Sequence, residues 1–263
     1  MALMKADNLI YKYTSLTEFT FKNLLLSQMW FNSPDLMNDQ LEGLVKVENV
    51  DFNPSEKAID KFIISNRLYE FYEDPQQAIK SQGFLDFYMA HWFRNELDKY
   101  RISCFSSSPT ESLMWAHYAN KHGGLCLIYD KQNLLGSLKT YDSDFEIISI
   151  RYGVKPTITL YDKGGQIGFE SDVPIISTKD INWKYEKEVR IYIEEKYPNK
   201  TPNGKSVFIE SSSLKGIVYG YQMSESDKDA ISMIIRNESH YSLVKEYNEV
   251  IDFKTGKIFI ELD

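Results

Sequence analysis

Residues Ile181–Ile193 read INWKYEKEVRIYI. Trp183, Tyr185, Val189, Ile191 and Ile193 fall on odd positions, and Glu186, Glu188 and Arg190 on even ones. Period-two alternation marks a half-buried strand, because successive side chains leave opposite faces. The stretch therefore predicts a strand over about Glu186–Glu194 with two carboxylates and a guanidinium along one face. Two carboxylates so placed repel, and Arg190 on the same face supplies the balance. On a solvated sheet face this is ordinary. In a cleft, one carboxylate can orient a sugar hydroxyl and steady positive charge at an anomeric carbon, while the other activates a nucleophile.

The rest of the chain sets bounds on that choice. Its 263 residues are 43% hydrophobic and 26% charged, with a mean hydropathy of −0.40, the balance of a soluble globular protein able to bury a core. Aromatics make up 14%, with 18 Tyr and 15 Phe, enough to supply much of that core. The net charge of −8 offers no long-range attraction to phosphate backbones, so composition points to no nucleic-acid partner, a local basic groove aside. Cys104 and Cys126 sit in apolar surroundings outside any CxxC or metal spacing, and read as buried free thiols of a reducing compartment. MALMKADNL is no signal peptide and no segment has the apolar length of a membrane span, so a cytoplasmic protein with no membrane contact is expected.

Along the chain the elements alternate without a regular βαβ rhythm. Strands are expected at Asn8–Tyr13, Met29–Pro34, Arg101–Ser106, Gly124–Asp130, Glu146–Tyr152, Ser206–Ile209, Leu214–Gly220 and Lys257–Leu262. A capping box of Ser15 and Glu18 predicts a helix to about Gln28. Ser108, Pro109 and Glu111 predict a second one to about Lys121, ended by Gly123–Gly124, and Ser224 caps a last helix to about Ile235. Residues 55–100 read as a helical insert, broken near Pro75 and Gly83. The order argues for a single α+β domain over 1–263, with mixed, mostly antiparallel sheet and flanking helices.

The signatures GxGxxG, GxxxxGK[ST], HExxH and GxSxG are all missing. What remains is a set of polar clusters near strand ends. Lys12 lies between Tyr11 and Tyr13 on the opposite face of the first strand, as a solvated lysine or as a ligand-facing one. Asn38, Asp39 and Glu42 follow Asn32-Ser33-Pro34, residues that make ordinary turns but can also hold a cation. On a helix, Met114, His117, Tyr118 and Lys121 share a face, and Trp115, His117 and Tyr118 offer stacking surface and donors in a short span. The bland reading of that helix is core.

IYKY (Ile10–Tyr13), FNSPDLMND (Phe31–Asp39) with Glu42, ISCFS (Ile102–Ser106), LMWAHYANKHGGLCLIYD (Leu113–Asp130) and WKYEKEVR (Trp183–Arg190) occur in an order that resembles the bacterial and phage family called domain of unknown function 2971. Met37 stands where an aromatic is commoner there, and Gln40 where proline is usual. The layout is also similar to ADP-ribosyltransferase-like folds, whose late glutamate binds the nicotinamide ribose. That resemblance implies NAD as substrate, Glu188 as the ribose-binding carboxylate and Glu186 as the residue that positions the acceptor. It places Lys12 or Tyr13 at the first-strand site, a Lys there replacing the usual Arg or His. Ser106 or Tyr118 takes the middle site, and Trp115, His117 and Asn38 complete the dinucleotide contacts.

Three readings follow. The leading one is an NAD-consuming ADP-ribosyltransferase or NAD glycohydrolase, a toxin or antiphage defence effector whose acceptor is a protein or a nucleic acid. A second is a Mg²⁺-dependent nuclease or phosphoesterase built on Asp39, Glu42, Glu186 and Glu188. A third is a non-catalytic binding or regulatory module in which Trp115, His117, Trp183 and Glu188 simply fix the fold.

Overall fold

Short runs rich in β-branched and aromatic residues fit a pleated, half-buried surface, and most of this chain is built from them. The computed structural model describes residues 8–39, 46–48, 54–79, 81, 83–84, 96–139, 144–196, 201, 203–238 and 241–263. The strands are β1 (Leu9–Thr14), β2 (Gln28–Asn32), β3 (Lys46–Glu48), β4 (Tyr100–Ser106), β5 (Leu125–Asp130), β6 (Phe145–Ser149), β7 (Arg151–Tyr152) and β8 (Thr157–Asp162). They continue with β9 (Ile167–Ser171), β10 (Thr178–Lys179), β11 (Glu188–Glu194), β12 (Gly204–Phe208), β13 (Leu214–Tyr219), β14 (Lys245–Asp252) and β15 (Lys257–Leu262). Helices are α1 (Glu18–Leu25), α2 (Glu56–Ser65), α3 (Pro75–Ile79), α4 (Ser112–Tyr118), α5 (Lys131–Leu138) and α6 (Glu225–Asn237). The class is α+β, as expected.

Two compact units result, one of Met1–Met37, Tyr100–Ile150 and Asn182–Asp263, the other of Asn38–Lys99 and Arg151–Ile181. The first holds a ten-stranded, mostly antiparallel sheet in the order β12-β2-β4-β1-β5-β13-β14-β15, with β11 joining β4 to β6. One edge of β4 pairs throughout with β11; the other is shared by β1 at Ser106 and β2 at Ile102. Among the described residues, the β13–β14 pair alone runs parallel in this sheet.

Alternation gives the sheet two faces. One, carrying Ile10, Phe105, Leu127, Ile191 and Ile217, packs with Leu24 of α1, Leu134 of α5 and Ile231 of α6 in the main core. The other, carrying Tyr11, Tyr13, Cys126, Ile128 and Val218, is covered by Met114 and Trp115 of α4. In the second unit, α2 is capped by Ser55, whose hydroxyl accepts from the Ala58 amide. Ile59, Phe62 and Ile63 of α2 pack with Ile79 and Leu160. The insert expected at 55–100 contributes to this unit together with residues 151–181, and its residues 85–95 lie outside those described. No helix among the described residues is long and apolar enough to cross a membrane.

Several boundaries differ from the sequence reading for identifiable reasons. Thr17, not Ser15, caps α1, its hydroxyl accepting from the Thr20 amide. Ser108 does not cap a helix: its hydroxyl donates to Glu111 at 3.1 Å, and α4 starts only at Ser112. That helix stops at Tyr118 because Asn120, Lys121 and His122 take left-handed backbone, so Lys121 leaves the expected helical face. Helix α5, the β8–β9 hairpin and β14 were not anticipated. Asp130 caps α5 through the Asn133 amide, a signal hidden at the end of a strand.

Gly124 is required by close approach, since a Cβ there meets the Thr14 carbonyl at 2.4 Å, whereas one on Gly136 in α5 meets nothing within 4 Å. Gly124→Ala is expected to lose about 1–3 kcal/mol through forced backbone shifts, and Gly136→Ala to gain about 0.5–1 kcal/mol from the lower entropy of the unfolded chain. Thermal denaturation of the two variants reads the opposite signs.

Candidate functional site

The quoted stretch does not run as one strand. Residues through Glu186 form a 3₁₀ turn, Lys187 takes φ +46°, and β11 begins only at Glu188. A left-handed non-glycine residue is strained, and here it is held from several sides. The Lys187 carbonyl accepts from the Ser107 amide at 3.0 Å, and its ammonium reaches Glu111 at 2.5 Å. The expected strand start at Glu186 is thus corrected. The consequence for the two carboxylates is burial of both, with Glu186 3% and Glu188 4% exposed.

Glu188 and Arg190 follow two apart on β11 and so point to one face. Arg190 Nε donates to Glu188 Oε1 at 2.7 Å, and its Nη2 donates to Oε2 at 3.1 Å, a bidentate pair. Across the strands, Glu188 stands opposite Ser106, and Ser106 opposite Tyr11. The Ser106 hydroxyl accepts from the Ser108 amide at 3.1 Å. Cys104 faces Arg190; burial, and then Glu188, push its thiol well up, so it stays protonated. It is half-buried where the sequence implied a buried thiol, whereas Cys126 is buried.

Glu186 accepts a hydrogen bond from the Tyr118 hydroxyl at the end of α4. Burial first, and this carboxylate next, push the phenol up, with Glu188 adding its charge, so Tyr118 remains a donor. Tyr118 thus meets Glu186, and Ser106 stands opposite Glu188.

Other candidates take different places. Trp115 is 0% exposed, which leaves no face for a ligand and overturns its reading as a stacking surface. Its Nε1 donates to the Pro109 carbonyl at 2.9 Å, and its ring meets Tyr13 edge-on at 5.2 Å. Tyr13 is also buried and donates to the Ser108 carbonyl at 2.9 Å. Lys12 lies on the opposite sheet face, bonded to the Ser103 hydroxyl at 3.0 Å and the Cys104 carbonyl at 3.1 Å, 5.0 Å from the Phe105 ring centroid. Burial lowers its pKa. His117 is exposed and stands 6.1 Å from the Tyr185 ring, which is in turn 6.1 Å from Trp183. Asn38 and Asp39 belong to the second unit, and Glu42 lies outside the described residues. Among the described residues no group of three or more His, Cys, Asp or Glu could hold a metal ion.

Sequence reasoning missed Tyr185 as a partner of His117. It also missed the contact between His122 and Glu249, which are 127 positions apart. Proximity of that kind leaves no local signal, although the alternation in KEYNEVID would have put Glu249 on a strand.

Residues 114–191 match the model of the family described as Protein of unknown function (DUF2971), which bears out the family resemblance. The matched span runs from α4 to β11 and includes His117, Tyr118, Glu186, Glu188 and Arg190. No curated protein and no solved structure gives a match.

Two outcomes are expected from these contacts. Arg190→Met strands a buried carboxylate and costs about 3–5 kcal/mol, most of which Glu188→Leu recovers in the double variant; a denaturation cycle of the four proteins measures it. Lys12 binds its proton less tightly folded than unfolded. Wild type therefore gains stability as pH rises from the lowered native value towards 10.5, and Lys12→Met removes that slope in urea titrations at stepped pH.

Proposed function

We propose that the first unit is an NAD-consuming enzyme of the ADP-ribosyltransferase type, cleaving the nicotinamide–ribose bond and passing ADP-ribose to a macromolecule or to water. The observation that carries the reading is the convergence of Glu188, Ser106, Glu186 and Tyr118 from three separate parts of the chain. A carboxylate such as Glu188 can accept from a ribose hydroxyl. As the glycosidic bond breaks, its electron pair leaves with nicotinamide, and the carboxylate steadies the positive charge left on the sugar. Glu186, already a hydrogen-bond acceptor, takes the proton of the attacking hydroxyl, with Tyr118 holding the carboxylate in place. Stacking of a flat ring falls to Tyr185 and His117 rather than to Trp115. Free cysteines and the use of NAD suit a cytoplasmic setting, and modification of a protein or nucleic acid there would make the chain a toxin or defence effector.

One observation favours a non-catalytic module instead: Glu188 and Arg190 satisfy each other in a site almost closed to water. Incubation with labelled NAD and a lysate separates the two. The enzyme reading expects nicotinamide release by wild type and a loss of about 10²–10³-fold in Glu188→Gln while the fold survives. Absence of turnover in wild type, with Glu188→Gln altering stability alone, would leave the module.

A further inference from the structure

A second polar cluster lies outside the contacts assigned so far. After α4 the chain turns through Asn120, Lys121 and His122 with φ of +47°, +53° and +69°. Three left-handed non-glycine residues in succession are strained, and such backbone persists where its surroundings over-determine it. The surroundings do so here. The Lys121 and His122 amides donate to the Ala116 and Trp115 carbonyls, both at 3.2 Å, and the His122 carbonyl accepts from the Gln222 amide at 2.8 Å.

The turn delivers one side chain with unusual definition. The His122 ring lies flat on buried Trp115, 9° from parallel with centroids 6.2 Å apart. Its Nδ1 is 2.8 Å from Glu249 Oε1, and the other carboxylate oxygen accepts from the Tyr221 amide at 2.9 Å. The Glu249 side chain is 0% exposed and that of His122 15%. With Nδ1 engaged by the carboxylate, Nε2 is left for a ligand, as an acceptor in the neutral ring and a donor in the protonated one. No group among the described residues bonds Nε2.

Beside this pair the surface is aromatic. Tyr221, whose amide holds Glu249, is 49% exposed, and Phe253 is 74% exposed. Their rings are 5.5 Å apart at 68°. Exposed aromatic faces accept any nucleobase by stacking, and an oriented imidazole beside them suits a hydroxyl, which can donate or accept, on the same ligand.

We propose that His122 and Glu249, with Tyr221 and Phe253, form a ribonucleoside site: a ribose hydroxyl bonds Nε2 and the base packs against the exposed aromatic pair. The site is separate from the Glu186–Glu188 chemistry and stands whether or not NAD is cleaved. Adenosine is the probe, titrated into the full chain while the His122 imidazole C–H resonance, assigned by its loss in His122→Gln, is followed. The expected result is a saturable shift that weakens about tenfold or more in Phe253→Ala and in Glu249→Gln. Binding of 2′,3′-dideoxyadenosine should be weaker by a similar factor. Phe253 is a surface residue, so its variant keeps the fold even where those of the buried pair do not. A resonance that stays still at saturating adenosine overturns the proposal. So does equal binding of the dideoxy compound, or binding indifferent to Phe253→Ala.

Discussion

The bidentate contact between Arg190 and Glu188 constrains everything near it. Ions of opposite sign taken out of water need every partner they can find, and the net gain from such a pair is small. Its force is in what it forbids. On β11 a one-residue slip would turn both charges into the main core beside Ile191 and Ile193, so the pair fixes strand register. It also explains the neighbouring strand: β4 presents Ser106 and Cys104 opposite the two charges, where larger apolar side chains would crowd the guanidinium.

Aromatic residues divide into two kinds by depth. Tyr13 and Trp115 meet edge to face in the smaller core, where a T-shaped contact is worth more than its area alone. Tyr118, Tyr185, Trp183 and His117 lie further out around the carboxylates. Helix α4, from Ser112 to Tyr118, spans both depths: Trp115 anchors it inward and Tyr118 reaches across to Glu186. The same short helix thus carries structural and site residues one turn apart.

The legibility of the fold followed the range of the forces involved. Strands β1, β4, β5, β13 and β15 were readable because their apolar alternation is local, and the Ser224 cap of α6 for the same reason. What could not be read were decisions made by distant contacts. Lys187 enters left-handed backbone because Ser107 and Glu111 hold it, so a plausible strand became a turn followed by a strand. Asn120 to His122 end α4 early because Gly220 and Gln222 pack against the turn. In the site, the Glu188–Arg190 balance was visible as an i, i+2 relation, whereas the contact of Tyr118 with Glu186, 68 positions away, left no local mark. Lys12 and Trp115 did not keep the ligand-facing roles considered for them, because burial and the facing partner are tertiary facts.

The parallel pairing of β13 with β14 has a consequence in time as well as space. His122 leaves the ribosome long before Glu249, the carboxylate that orients it, and β14 reaches its place only after α6 has carried the chain back across the sheet. Until then the imidazole and its strained turn have no acid to hold them, while β1, β4, β5 and β11 can already pair. The His122 turn therefore depends on a partner that the chain supplies 127 positions later, beyond α6 in sequence.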